Sequence, residues 1–369
     1  MPSEQHPTVS IVVPTYREAA NLPELVERVE QVAREHGLVV EMLIMGDDSR
    51  DGTVETVAEL NRGWVRLVVR QGERGLSAAV LDGFRQARHD ILVVMDADLS
   101  HPPERIPALV AELEAGADFV FGSRYVAGGS TDELWGVLRR LNSRVATLLA
   151  RPFTRVKDPM SGFFALRRGT WERAAPLNPV GYKIGLELLV KCPVDEVREA
   201  PIHFAKRRHG KSKLNVREQL RYLQHLRRLA IYKYGTWAHF AQFAVVGFSG
   251  TIVNLALLTL LVGLAVPVRL AVALAILGSM LSNFVLNRRF SFSYARSGSW
   301  WRQLLGFLGA SSIGAGINYA TVLVLLYFWP VLERIPQVAS LAGILAGLSF
   351  NFVLSRYFVF RAPKSDSGQ

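Results

Sequence analysis

Asp96 and Asp98 stand two residues apart, directly after the apolar run 91–95. Carboxylates that close repel one another, and a divalent cation or a shared proton relieves the repulsion. An all-oxygen ligand set of this kind suits Mg²⁺ or Mn²⁺, which complete their shells with water and substrate phosphates. A solvated turn is the plain alternative for any Asp-x-Asp. The cations point the same way: Arg124, Arg139, Arg140, Arg144, Arg207, Arg208, Lys211 and Lys213 gather in three short stretches. Guanidinium forks match phosphate oxygens in pairs, and a lysine adds a point charge. For 139–144 a solvated helix face and anion binding are equally good readings. For Arg207 and Lys213 the intervening Gly210 and Ser212 favour an ordered loop that contacts phosphate. A metal plus fixed cations is what two phosphate-bearing groups need if they are to share one cleft.

A second acidic group, Asp47, Asp48 and Asp51, follows the run 41–45. Asp51-Gly-Thr53 is expected to cap the next helix, which leaves Asp47 to meet a base or ribose. Neither Gly-x-x-x-x-Gly-Lys-Ser/Thr nor Gly-x-Gly-x-x-Gly occurs, which argues against phosphate-loop ATPases and dinucleotide-binding dehydrogenases. His101, His203 and His209 are expected to be caps or surface residues.

The elements that must position these groups follow a βαβα rhythm. Apolar runs at 9–13, 41–45, 65–69, 91–95 and 119–121 alternate with helical stretches at 21–35, 53–61, 75–87 and 103–115. The pattern predicts a mostly parallel sheet with helices on both faces. Ligands of such sheets sit beyond the carboxyl ends of the strands, where Pro14, Tyr16, Glu18, Asp47, Asp96, Asp98 and Arg124 fall.

Composition divides the chain. It has 369 residues and a net charge of +11, with 43 Lys and Arg against 32 Asp and Glu. Residues 236–369 hold nine of the basic residues and only Glu333 and Asp366 as acids. Half the residues are hydrophobic, which excludes disorder, and a lone Cys192 excludes a disulfide framework. The first twenty residues lack a basic start and a long apolar core, so no signal peptide is expected. Apolar stretches at about 240–264, 268–286, 304–329 and 338–354 predict four transmembrane helices. Basic flanks before the first span, in the linker 288–302 and after Arg356 put both termini and the N-terminal domain in the cytoplasm of a multi-pass membrane protein. Gly250 to Asn254 matches Gly314 to Asn318, and Asn283-Phe-Val-Leu-Asn-Arg-Arg-Phe-Ser-Phe292 matches Asn351-Phe-Val-Leu-Ser-Arg-Tyr-Phe-Val-Phe360. Two copies of a two-span unit enter the bilayer in the same sense. Asn254 and Asn318 are read first as interhelical hydrogen-bonding groups. Between the halves, Leu220, Leu223, Leu226, Leu229 and Ala230 recur at helical spacing among arginines, which predicts an interfacial helix over 214–235.

Residues 236–361 resemble the GtrA-like four-helix membrane family. Seven motifs, in order across 9–213, resemble the polyprenyl-phosphate hexosyltransferases, specifically the dolichol-phosphate mannose synthases among family 2, GT-A-fold glycosyltransferases. They are Pro14-x-Tyr16-x-Glu18, Asp47-Asp-Ser-x-Asp-Gly-Thr53, Glu73-Arg-Gly-Leu-Ser77, Asp96-Ala-Asp-Leu-Ser-His-Pro-Pro-Glu104, Gly122-Ser-Arg-Tyr125, Asp158-Pro-Met-Ser-Gly-Phe163 and Arg207-Arg-His-Gly-Lys-Ser-Lys213. The resemblance implies an α/β GT-A domain over 1–213 and an all-α GtrA-like domain over 236–369. It also implies transfer of mannose from GDP-mannose to a polyprenyl or dolichyl phosphate, with Mg²⁺ or Mn²⁺, at a lipid bilayer; no nucleic-acid partner is expected. Pro14, Tyr16, Glu18, Met45, Asp47, Asp96, Ala97, Asp98, Arg124, Arg207 and Lys213 would hold the nucleotide sugar. Asp96, Asp98 and Ser100 would hold the metal, and Arg124, Arg139, Ser143 and Ser161 the acceptor phosphate. Asp98, Arg124, Arg207 and Lys213 would carry the chemistry, with Asp158 either capping its own turn or facing the sugar. Two departures stand out: Gly46 replaces the first acid of the relatives' Asp-Asp pair, and Ser100 stands where close relatives often place Gln. A UDP-sugar transferase acting on undecaprenyl phosphate and a flippase for lipid-linked sugars are the alternatives. A processive polysaccharide synthase is disfavoured, because Gln224-His-Leu-Arg-Arg228 lacks the tryptophan of Gln-x-x-Arg-Trp.

Overall fold

A computed structural model describes residues 6–48, 50–71, 75–132, 137–205, 216–334 and 336–361. The chain forms two compact units, Met1–Lys233 and Tyr234–Gln369.

The first unit contains β1 (Thr8–Thr15), α1 (Leu22–Glu35), β2 (Val39–Gly46), α2 (Thr53–Leu60), β3 (Val65–Val69), α3 (Leu76–Gln86), β4 (Ile91–Val94), α4 (Ile106–Glu114) and β5 (Phe119–Ser123). It continues with β6 (Ser130–Thr131), α5 (Val137–Ala150), β7 (Phe164–Arg167), α6 (Arg168–Glu172), α7 (Ile184–Lys191), β8 (Val197–Pro201), β9 (His203–Phe204) and α8 (Val216–Tyr234). The predicted strands and helices are all present, within a few residues of their expected ends. Among the described residues, seven strands form one sheet in the order β3-β2-β1-β4-β7-β5-β8, and β6 pairs with β9. All pairings are parallel except those of β7, which runs antiparallel to both β4 and β5.

Both faces of the sheet are covered, so the central strands are apolar at nearly every position. Val9, Ile11 and Val13 of β1 pack with Leu22, Leu25 and Val26 of α1 and with Leu109 and Leu113 of α4. Val12, one pleat over, joins Val80 and Phe84 of α3 and Leu188 of α7 on the opposite face.

The interfacial reading of α8 accounts for only part of that helix. Leu226 and Leu229 are buried against Ala150, Met160 and Leu186, which makes α8 part of the α/β unit. Leu220 and Leu223 remain exposed. A further apolar face was not anticipated on α5, where Leu141, Val145, Leu148 and Leu149 are also exposed. The Tyr222 hydroxyl of α8 donates to the Ala146 carbonyl of α5 at 2.7 Å, so the two helices lie together.

The second unit consists of α9 (Thr236–Gly263), α10 (Val268–Leu286), α11 (Trp300–Phe328) and α12 (Pro336–Leu354). Among the described residues, three segments are long and apolar enough to cross a membrane: Thr236–Gly263, Trp300–Phe328 and Ala342–Val359. The predicted span at 268–286 is a helix of 19 residues. The repeat seen in sequence is also a repeat in packing. A Cβ on Gly250 would stand 2.3 Å from the Asn283 side chain, and one on Gly314 would stand 3.0 Å from Asn351, so each copy brings its two helices together at equivalent positions. Phe243, Phe284 and Phe292 share a core with their counterparts Phe307, Phe352 and Phe360. Phe292 and Phe360 stack at 4.9 Å. Each copy ends in a π-helical turn, Asn287–Ser291 and Ser355–Val359. Asn318 abuts Gly343 of α12, consistent with a packing role.

Candidate active site

The antiparallel insertion of β7 builds the site. Because β7 runs against its neighbours, the loop that enters it emerges at the edge where β4 and β5 end, with Phe164 level with both Val94 and Phe121. The Asp158–Phe163 motif is thereby brought between Asp96 and Arg124. Gly162 packs closely on the acidic turn: a Cβ there would stand 3.4 Å from Asp96 Oδ1 and 3.3 Å from His101 Cε1.

Asp98 is buried, and its Oδ1 accepts the Ser100 amide at 3.0 Å. Between them Leu99 adopts φ 61°, a left-handed conformation that a branched apolar residue holds only when its surroundings impose it. The Asp96 side chain stays about a quarter exposed. His101 is not a surface residue: it is 1% exposed and stacks on Phe163 at 5.4 Å, and its Nδ1 accepts the Asp96 amide at 2.9 Å. The imidazole therefore braces the Asp-x-Asp turn from beneath. The Ser100 hydroxyl is buried and has no hydrogen-bond partner among the described residues. Two carboxylates and an orphaned hydroxyl form an oxygen donor set that fits Mg²⁺ or Mn²⁺.

Asp158 neither caps its turn nor stands open to a sugar. It is fully buried and grips Arg124, with Nε and Nη2 each donating at 2.7 Å and the Arg124 amide at 3.0 Å. Its own amide donates to Glu199 Oε1 at 3.0 Å. Burial alone would lower the Arg124 pKa, but Asp158 outweighs it and holds the guanidinium above its ordinary value. The Arg124 guanidinium also lies over the Phe204 ring at 5.1 Å, and the same ring meets His101 edge-on at 5.4 Å. Phe204 thus couples the cation to the acidic turn.

Lys183, just before α7, is a site residue that sequence reasoning missed. Its ammonium is enclosed and donates to the Met160 carbonyl at 3.2 Å. Enclosure, followed by the nearby Arg124, pushes its pKa down to about 8, against the opposing pull of Asp158 and Asp96. No local motif marked it, because Val180-Gly-Tyr-Lys183 reads as an ordinary approach to an apolar helix.

On the other flank, Pro14 precedes Thr15, the last residue of β1, with Tyr16 and Glu18 following, and Met45 and Asp47 flank Gly46, the last residue of β2. Asp47 accepts the Gly75 amide at 2.9 Å and is ion-paired with Arg70, a second residue the motifs did not reveal. Arg70 in turn donates through Nε to Asp82 at 2.7 Å. Asp51 ties two loops together, accepting the Ala19 amide at 3.2 Å and the Thr53 hydroxyl at 2.8 Å, while the cap of α2 is Gly52 at φ 88°. Ser143 on α5 pairs with the Tyr125 hydroxyl at 2.8 Å, one residue from Arg124. The Ser161 hydroxyl closes its own turn through the Phe163 amide at 3.2 Å. His203 is exposed and meets Ser130 at 2.8 Å and Asp132 at 3.1 Å. Arg207, Arg208, His209, Lys211 and Lys213 lie outside the described residues, as do the side chains of Arg139 and Arg140.

Residues 10–173 match the glycosyl transferase family 2 model, and residues 242–360 match the GtrA/DPMS transmembrane domain. A dolichol-phosphate mannosyltransferase of Pyrococcus furiosus is 40% identical over 354 residues, covering 95% of this chain and 98% of the relative. Its namesake in Mycosarcoma maydis is 43% identical over 239 residues, 62% of this chain and 81% of the relative. Among solved structures, glucosyl-3-phosphoglycerate synthase from Mycobacterium tuberculosis, in complex with Mn²⁺, UDP and phosphoglyceric acid, aligns with a TM-score of 0.48 and 20% identity, over 62% of this chain and 79% of that one.

Proposed function

The chain belongs to the dolichol-phosphate mannosyltransferases, family 2 glycosyltransferases joined to a GtrA/DPMS transmembrane domain, and from that premise we propose that it moves mannose from GDP-mannose to the phosphate of a dolichyl or other polyprenyl lipid, with inversion at the anomeric carbon. The observation that carries the reading is the junction of Asp96, the Asp158-locked Arg124 and Lys183 at one edge of the sheet.

An acceptor phosphate is already ionised near neutral pH, so no residue has to deprotonate it. One of its oxygens bonds to the anomeric carbon as the bond from that carbon to the donor's diphosphate breaks, and GDP leaves with the electron pair. The protein's task is alignment and charge compensation. Arg124 is held rigid before substrate arrives, because Asp158 fixes both the guanidinium and the local backbone. Lys183 supplies a second, desolvated cation. His101 keeps the Asp96 amide, and with it the turn, in position. Asp96, Asp98 and Ser100 would hold a divalent cation, which when bound offsets negative charge on the departing diphosphate. Asp47, held by Arg70 and the Gly75 amide, presents a fixed acceptor to the nucleoside, with Pro14, Tyr16, Glu18, Met45 and Ala97 around it. Arg139, Ser143, Ser161, Arg207 and Lys213 complete the proposed phosphate contacts.

A lipid acceptor must be met at a membrane surface. The exposed leucines of α5 and α8 support that placement, since Ser143 of α5 is hydrogen-bonded next to Arg124. Four spans with both termini on the cytoplasmic side agree with the basic flanks of the helices. Purified full-length protein with Mn²⁺ or Mg²⁺, given a panel of radiolabelled sugar nucleotides and a polyprenyl phosphate, is expected to put label into the organic phase from GDP-mannose. Label from UDP-glucose and none from GDP-mannose would overturn the donor assignment.

A further inference from the structure

The membrane unit contains a cleft whose chemistry the transfer reaction does not use. It has a volume of about 260 Å³ and is lined by Val285, Arg288, Arg289, Arg296 and Trp300. Arg288 and Arg289 come from the π-helical turn after α10, Arg296 from the linker, and Trp300 from the first turn of α11.

Three guanidiniums that are always charged repel one another, so their gathering needs compensation. In the α/β unit such cations are matched by acids, as Arg124 is by Asp158 and Arg70 by Asp47 and Asp82. Here, among the described residues, no carboxylate pairs with any of the three, and residues 236–369 contain only Glu333 and Asp366 as acids. Two of the three side chains, those of Arg288 and Arg296, are held by neutral acceptors instead. Arg288 donates through Nε to Gln303 Oε1 at 2.7 Å and through Nη2 to the carbonyls of Arg296 at 2.5 Å and Gly298 at 3.1 Å. Arg296 donates through Nη2 to the Arg289 carbonyl at 2.5 Å. Carbonyl oxygens orient a guanidinium without cancelling its charge, and a freely solvated basic rim needs no such lacing.

The internal repeat supplies a control. In the second copy Arg356 stands for Arg288, but Tyr357 stands for Arg289, and Arg356 lies over that ring at 5.7 Å. Among the described residues, only the first copy brings three arginines to one cleft. Its two other walls, Val285 at the end of α10 and the indole of Trp300 at the start of the bilayer-length α11, are apolar and partly exposed, and amphipathic rings at such ends meet headgroups.

We propose that this cleft binds the phosphate of an anionic phospholipid headgroup, with Arg289 and Arg296 contacting phosphate oxygens, Arg288 bracing the loop behind them, and Val285 and Trp300 flanking the start of the lipid's apolar part. The test uses delipidated full-length protein in uncharged detergent, titrated separately with dioleoylphosphatidylglycerol, dioleoylphosphatidylcholine and inorganic phosphate, with bound ligand read by native mass spectrometry. Phosphatidylglycerol is expected to bind at least about tenfold more tightly than phosphatidylcholine, and inorganic phosphate to displace it only in large excess. Arg289 makes no side-chain hydrogen bond among the described residues, so Arg289→Gln removes charge without cutting the lacing; it is expected to weaken phosphatidylglycerol binding about tenfold, the scale of one charge-assisted contact. Arg289→Lys should recover part of the loss, and Arg302→Gln, outside the cleft, should change nothing. Equal affinity for the two lipids, an unaffected Arg289→Gln variant, or an equal loss from Arg302→Gln would each overturn the site. Inorganic phosphate as tight as the lipid would overturn the headgroup assignment.

Discussion

Arg124 and Asp158 form a buried ion pair in which each partner makes the other tolerable. The cost of taking a charge out of water exceeds what it regains once its partner is removed, by about 3–5 kcal/mol for pairs of this kind. Asp158→Ala is therefore expected to lower the melting temperature as well as activity, whereas Asp98→Asn should lower activity at least about 100-fold with little change in melting. Comparing thermal unfolding with turnover for the two variants separates the roles, and an Asp158→Ala protein that melts like the parent would refute the buried-pair argument. Lys183 gives the site a pH dependence. With a pKa of about 8 against an ordinary 10.5, its charge is complete well below pH 8 and is lost as pH rises through that value. Acceptor affinity should weaken on the same limb, and Lys183→Met should abolish that limb in a profile of KM for polyprenyl phosphate. Stability runs the other way: between about pH 8 and 10.5 the unfolded chain binds more protons at this position, so the cost of enclosing the charge is relieved as pH rises.

At the scale of elements, one reversed strand does most of the assembly. β7 carries the 158–163 loop to the edge where the neighbouring strands end, and its placement between β4 and β5 follows from long-range pairing that no local pattern announces. The strands β1 to β5 were legible because each is an apolar run bounded by turn residues, and the helices between them because their periodicity was intact. The brace under the acidic turn was not legible, since His101 became a support only when Phe163 and Phe204 closed around it. Helices α5 and α8 offer a test of membrane contact at this scale. Leu148 is 69% exposed, and Leu148→Glu should reduce transfer to a long-chain acceptor in liposomes about tenfold while leaving transfer to a short soluble prenyl phosphate unchanged; an equal loss with both acceptors would count against an interfacial face.

For the whole molecule, the division into an α/β unit and a helical unit suggests that chemistry and anchoring separate. A fragment ending at Tyr234 that retains its native circular dichroism is expected to keep transfer to a short prenyl phosphate; complete loss in such a folded fragment would assign the membrane unit a part in the reaction. Composition alone divided the chain, because a bilayer and water demand opposite surfaces and leave their mark on every helical turn. The internal repeat was equally plain, and its structural meaning, two copies meeting through Phe292 and Phe360, follows from the same residues. Sequence by itself also marked the acidic turn, since two carboxylates directly after an apolar strand are visible without any long-range contact. Tertiary structure alone decided which cation is locked by which acid, that Asp47 answers to Arg70, and that Lys183 belongs to the site at all. Burial and ion pairing depend on distances between residues far apart in the chain, and those distances do not exist until the sheet has closed.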